Sequence, residues 1–106
     1  MNNGDDNGRS MPDSTYRTSV TILNAQGLHM RPAYLFAETA ARFDSQIEVE
    51  KGDIRIDGKS VLSILTLGAA QGSEVCIEAT GSDAQDAIAA LEQLVVSGFN
   101  VTGNNS

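Results

Sequence analysis

Along residues 16–23 the side chains alternate, with Tyr16, Thr18, Val20 and Ile22 on one side. A period of two rich in β-branched residues predicts a half-buried strand. Asn24 to Gly27 interrupts it. From Met30 the period lengthens: Leu35, Phe36, Thr39, Ala40 and Phe43 recur at steps of three and four, which predicts a helix over residues 30–43. Pro32 is compatible with that helix, because first-turn N–H groups have no intrahelical partner to lose. Alternation returns in residues 46–51, with Ile47 and Val49 inward, and again at Ile54 and Ile56 beyond a tight turn at Gly52-Asp53. After Asp57-Gly58, Ser60 stands where it can cap a short helix over residues 61–67, and Gly68 to Gly72 ends that helix. Val75, Ile77 and Ala79 mark a fourth strand over residues 74–79. Ser82 with Gln85 three residues on reads as a capping box. Behind it Ala84, Ala87, Ile88, Leu91 and Val95 describe a last amphipathic helix of about 14 residues, stopped at Gly98.

The order is therefore β-α-β-β-α-β-α. Each strand has one apolar and one polar face, so only one face of the sheet needs covering. The expected fold class is α+β, a two-layer open-faced sandwich with an antiparallel sheet and the helices on a single face. Residues 1–14 are dominated by Asn, Gly, Asp and Ser and read as a disordered acidic leader. Residues 100–106 read as a flexible tail, which leaves residues 15–99 as the folded domain.

Composition narrows the function. A chain of 106 residues is enough for one core, and with 5% aromatic residues and no Trp that core must be built from Ile, Leu, Val and Ala. The net charge of −7 argues against nucleic acid and against an anionic membrane surface. Cys76 has no partner for an internal disulfide, and no Cys/His cluster has metal spacing, so neither metal nor cofactor is expected. No apolar run approaches the roughly 20 residues that span a bilayer, and the start of the chain lacks a secretion signal. A cytoplasmic location is expected.

Two segments could carry chemistry. In Gly27-Leu28-His29-Met30-Arg31-Pro32-Ala33, the only histidine of the chain stands at the predicted start of a helix. Free N–H groups and the positive end of the helix dipole make that position an anion site. Arg31, in the same first turn, adds a charged donor suited to phosphate oxygens. An imidazole nucleophile beside a phosphate cradle is the arrangement a phosphoryl acceptor needs. A loop histidine next to a solvated arginine is the plain alternative, and position alone leaves both standing. The second segment is Lys59-Ser60 before Val61-Leu62-Ser63-Ile64-Leu65-Thr66-Leu67. This short helix is apolar almost all round, so part of Val61, Leu62 and Leu65 should stay exposed as a contact surface. A phosphate on Ser60 would suit the helix dipole yet add charge to that surface. The alternative is a helix cap beside a core helix.

At these two segments the chain resembles HPr, the histidine-containing phosphocarrier family of the bacterial phosphoenolpyruvate-dependent phosphotransferase system. The likeness runs from about Ser19 to Gly98. The family's Gly-[Leu/Ile]-His-Ala-Arg-Pro-Ala pattern stands here as Gly27 to Ala33, and its Lys-Ser pattern before an apolar helix stands as Lys59 to Gly68, with the expected 31 residues between His29 and Ser60. The resemblance implies a four-stranded sheet in the order 1-4-2-3 with three helices on one face. It implies that His29 takes a phosphoryl group on Nδ1 from phosphorylated enzyme I and passes it to a IIA domain of a permease or to a regulatory IIA protein. Arg31 would neutralise the group, the backbone N–H groups of Met30 and Arg31 would complete the cradle, and Ser60 would be the target of HPr kinase/phosphorylase. Met30, Val61, Leu62 and Leu65 would form the docking surface of a monomeric carrier that is not itself an enzyme.

This sequence departs from the pattern at Met30, where the family has Ala, and at Ser63, where it often has Gly. The chief rival reading is a regulatory module that docks on a transcription factor or enzyme and is switched at Ser60. Retention of both His29 and Arg31 speaks against that rival.

Overall fold

The computed structural model describes residues 14–99. Seven elements follow one another: β1 (Ser14–Thr21), α1 (Met30–Ala40), β2 (Gln46–Lys51), β3 (Ile54–Asp57), α2 (Val61–Thr66), β4 (Glu74–Gly81) and α3 (Ala84–Val96). The sheet order is β1-β4-β2-β3 and every pairing is antiparallel. Element order, sheet order and fold class are those expected. The proposed leader, apart from Ser14, and the proposed tail lie outside the described residues. Ser14 itself opens β1 and pairs with Gly81.

Alternation on the two central strands builds the core. Val75, Ile77 and Ala79 of β4 and Ile47 and Val49 of β2 are buried, and Ile77 stands opposite both Val49 and Thr18. Apolar side chains thus form rows across the sheet, which is how strands stabilise one another beyond their backbone bonds. α3 lies over β1 and β4, α1 packs against α2 and α3, and α2 reaches β3. The opposite face is open and charged. Arg17 Nη1 meets Glu78 at 2.8 Å, Arg55 Nη2 meets the same carboxylate at 2.5 Å, and Arg55 Nε donates to Glu48 at 2.8 Å. Exposed pairs of this kind contribute little stability. Their effect here is to offset the carboxylates that stand on neighbouring strands.

Several sequence expectations need correction. α1 stops at Ala40, not Phe43, because the chain tightens: Arg42 N–H bonds Thr39 O at 3.1 Å and Phe43 N–H bonds Ala40 O at 3.2 Å. These three-residue turns carry Phe43 back onto the core from outside the helix. The buried face of α1 is Pro32, Ala33, Phe36, Ala37 and Ala40, while Leu35 and Thr39 are only half-buried at its border. Alanines register weakly in a hydrophobic pattern, yet their small size suits a close helix–core approach. Tyr16 is 38% exposed at the outer end of β1, and Ile54 is exposed at the start of the short edge strand β3.

The capping box of Ser82 and Gln85 is not formed. Asp83 is the N-cap residue of α3, and its carboxylate caps nothing in its own helix. It accepts instead from the N–H groups of Asp44 and Ser45 at 2.9 Å each and from the Ser45 hydroxyl at 2.5 Å. Ser45 is buried, so its donors need a partner, and the charged acceptor supplies one. Gly81 makes the approach possible, since a Cβ there would lie 2.7 Å from Ser45 Cα.

The Ser45 hydroxyl first, and then the Asp44 and Ser45 N–H groups, hold the Asp83 carboxyl below the ordinary carboxylate range. A depressed folded-state pKa gives stability that is full above the unfolded value of about 4 and is lost as pH falls through the folded value. Asp83→Ala should therefore melt below wild type at neutral pH, and the gap should narrow as pH drops below about 4. Thermal melts of both proteins between neutral and acidic pH check this. A gap that stays constant through the acid range would refute it.

Candidate functional site

His29 is the N-cap residue of α1, in extended conformation with φ −85° and ψ −167°. Its carbonyl accepts the first helical bond from Ala33 N–H at 2.9 Å. Its side chain makes no capping bond. An N-cap side chain ordinarily accepts from the second or third helical N–H. Here the third helical residue is Pro32, which has none. The imidazole is exposed and has no hydrogen-bond partner among the described residues, while the N–H groups of Met30 and Arg31 lie in the first turn, where no intrahelical acceptor exists. Arg31 is exposed and, among the described residues, has no ion-pair partner, in contrast to Arg17 and Arg55.

The loop before His29 is tightly held. Gly27 adopts φ +70°, and a Cβ there would lie 2.8 Å from Ala70 Cα, so glycine is required on both counts. Leu28 is buried and its N–H bonds Ala69 O at 2.9 Å. Asn24 Nδ2 donates to Gly27 O at 2.5 Å.

Ser60 caps α2 as expected, accepting from Ser63 N–H at 3.2 Å. Lys59, its neighbour in the motif, donates from Nζ to Phe43 O at 2.8 Å. Ser60 therefore sits beside the C-terminal end of α1, whereas the loop leading to His29 sits on Ala69, just beyond the C-terminal end of α2. The two helices run antiparallel, and the two motif positions stand at opposite ends of α2, whose 6 residues rise about 9 Å. Sequence spacing could not give this separation.

The apolar surface of α2 divides as its crowding requires. Leu62 is 74% exposed, Val61 and Leu65 are half-buried, and Ile64 is in the core. Met30 is exposed on the neighbouring helix. One residue was missed in the sequence: Tyr34, half exposed and one turn beyond Met30 on the same side of α1. Its position away from Phe36 and Ala40 was the available signal.

Comparison with known proteins bears on this geometry. The family model described as the PTS HPr component phosphorylation site matches residues 16–97. The phosphocarrier protein HPr of Neisseria meningitidis is 38% identical over 79 residues, covering 74% of this chain and 89% of that protein. Among solved structures, HPr-C-His from Thermoanaerobacter tengcongensis is 42% identical with a TM-score of 0.78, covering 86% of this chain and 99% of that one. An HPr from Bacillus anthracis is 35% identical with a TM-score of 0.74, covering 77% and 98% respectively. Matched along nearly all of its described length and sharing this fold, the chain belongs to the HPr phosphocarrier family of the phosphotransferase system.

Proposed function

We propose that this protein accepts a phosphoryl group on His29 from phosphorylated enzyme I and delivers it to a IIA domain, acting in the cytoplasm as a carrier and not as an enzyme. The observation that carries the reading is the free imidazole at the N-terminus of α1. A ring nitrogen, Nδ1 by the family pattern, attacks phosphorus; the N–P bond forms as the bond from phosphorus to the donor breaks, and the reverse step hands the group on. The N–H groups of Met30 and Arg31, the helix dipole and the Arg31 guanidinium offset the charge of the group. Few fixed donors surround the ring, which suits a carrier that must also release its cargo. Enzyme I and the IIA domain dock on Met30, Leu62 and the exposed parts of Val61 and Leu65, with Tyr34 extending that surface. Ser60 is a regulatory site for an HPr kinase/phosphorylase.

Incubation with phosphoenolpyruvate and enzyme I should add one phosphoryl group to the intact mass of the wild type and none to His29→Ala. Equal labelling of the two proteins would remove His29 from the mechanism.

Arg31→Ala should change stability by no more than about 0.5 kcal/mol, as expected of an exposed side chain without a partner. Transfer should slow at least about tenfold, since one charge-assisted contact worth about 1.5–3 kcal/mol is lost in the transition state. Rapid-quench measurement of phosphoryl transfer, beside a denaturant melt, separates the two effects.

Ser60→Asp should leave the fold intact, because a carboxylate at an N-cap keeps the capping bond to Ser63 N–H. It should raise the half-saturating concentration of enzyme I without lowering the limiting rate, as Ser60 caps the end of α2 opposite the Ala69 side that holds the His29 loop, on the apolar helix that docks. A limiting-rate defect at unchanged half-saturation would contradict this assignment.

A further inference from the structure

The peptide unit between Gly27 and Leu28 is held at both of its polar ends. Its carbonyl accepts from Asn24 Nδ2 at 2.5 Å, and its N–H donates to Ala69 O at 2.9 Å. A third bond, Gly27 N–H to Asn24 O at 3.0 Å, closes the turn that presents the Asn24 side chain. The plane clamped in this way is the last one before the residue that joins His29. Rotation about it would swing the imidazole relative to the first-turn N–H groups of α1, since the helix itself is fixed by the burial of Pro32, Ala33 and Phe36.

The other end of the Asn24 side chain is unusual. Oδ1 is shielded from solvent and has no hydrogen-bond partner among the described residues. An orphaned buried acceptor costs about 1–3 kcal/mol. An apolar side chain of the same size would avoid that cost. What an apolar side chain would lack is the donor to Gly27 O. The cost therefore falls on a residue whose one distinctive contribution is that bond.

Resting on the reading of His29 as the phosphoryl acceptor, we propose that Asn24 is its positioning residue, the side-chain amide that fixes the peptide plane leading into the histidine. Asn24 does not touch the phosphoryl group. It acts through Gly27 and Leu28 on the direction from which the ring meets phosphorus, and small misplacements of a reacting group are costly in rate.

Two variants test this. Asn24→Leu keeps the branched shape in a somewhat larger side chain and removes the donor together with the orphaned acceptor, leaving Gly27 O unpaired in exchange. Asn24→Asp keeps the shape and Oδ1 but turns the donor into a second acceptor facing Gly27 O. Asn24→Leu should melt close to wild type, and both variants should accept phosphoryl groups about tenfold more slowly at saturating enzyme I, with the half-saturating concentration unchanged. In NMR spectra of the unphosphorylated proteins, the His29 ring and Leu28 amide resonances should move while those of α3 stay in place. Wild-type transfer rates, or unmoved His29 and Leu28 resonances in a folded variant, would overturn the proposal. Loss of the fold in both variants would overturn it too, making Asn24 a folding residue. If the wild type itself takes no phosphoryl group from enzyme I, the reading of the site fails, and the NMR comparison still decides whether Asn24 positions the ring.

Discussion

Ile47, Val49, Ile77 and Ala79 stand in the middle of the sheet and are almost wholly excluded from water. Each of these aliphatic side chains contributes stability only if that exclusion holds, up to about 1.5–3 kcal/mol for the larger ones. The three helices provide the cover, and they provide it on one face alone, because the alternating residues on the other face are charged. The position of α1, and with it the start of the helix that carries His29, follows from this one-sided burial.

Once α1 is laid on the core, its first turn has to end at the surface, and the chain must cross from β1 to reach it. That crossing is short and is pinned against the loop after α2 through Leu28 and Ala69. The close approach at Gly27 and the tight hold on the loop are consequences of fitting two adjacent helices over one sheet. A flexible lead-in to the same helix would present the histidine with less direction. On the proposed reading of His29, such rigidity would have a chemical use, since a group that is already oriented avoids an entropic cost during transfer.

The arrangement of α1 and α2 also separates the two motif positions. The loop before His29 rests on Ala69, beyond one end of α2, and Ser60 caps the other end, with the exposed apolar side chains of Met30 and Leu62 on the two helices. Asp83 shows a related economy in the turn after α1. A residue in the position of a helix cap serves a neighbouring loop, because buried Ser45 has donors that nothing in its own segment can satisfy.

Much of this was legible in the sequence by itself. Period-two alternation at Val75, Ile77 and Ala79 and the period-3.6 pattern of α3 are local consequences of side-chain geometry, so they fixed the element order and the one-faced sheet. The segment from Gly27 to Ala33 likewise announced a helix start at His29, since a glycine before it and a first-turn proline after it act there through local backbone geometry. What the sequence could not decide depended on which distant groups met. The Asp83 carboxylate turned from its own helix to Ser45, and the buried face of α1 shifted toward Ala33 and Ala37. The clamp on the Gly27–Leu28 peptide joins Asn24 on one side to Ala69 on the other. The Asn24 bond is a local turn, but no local pattern encodes the bond to Ala69, because a hydrogen bond between segments far apart in the chain exists only after packing has brought donor and acceptor together.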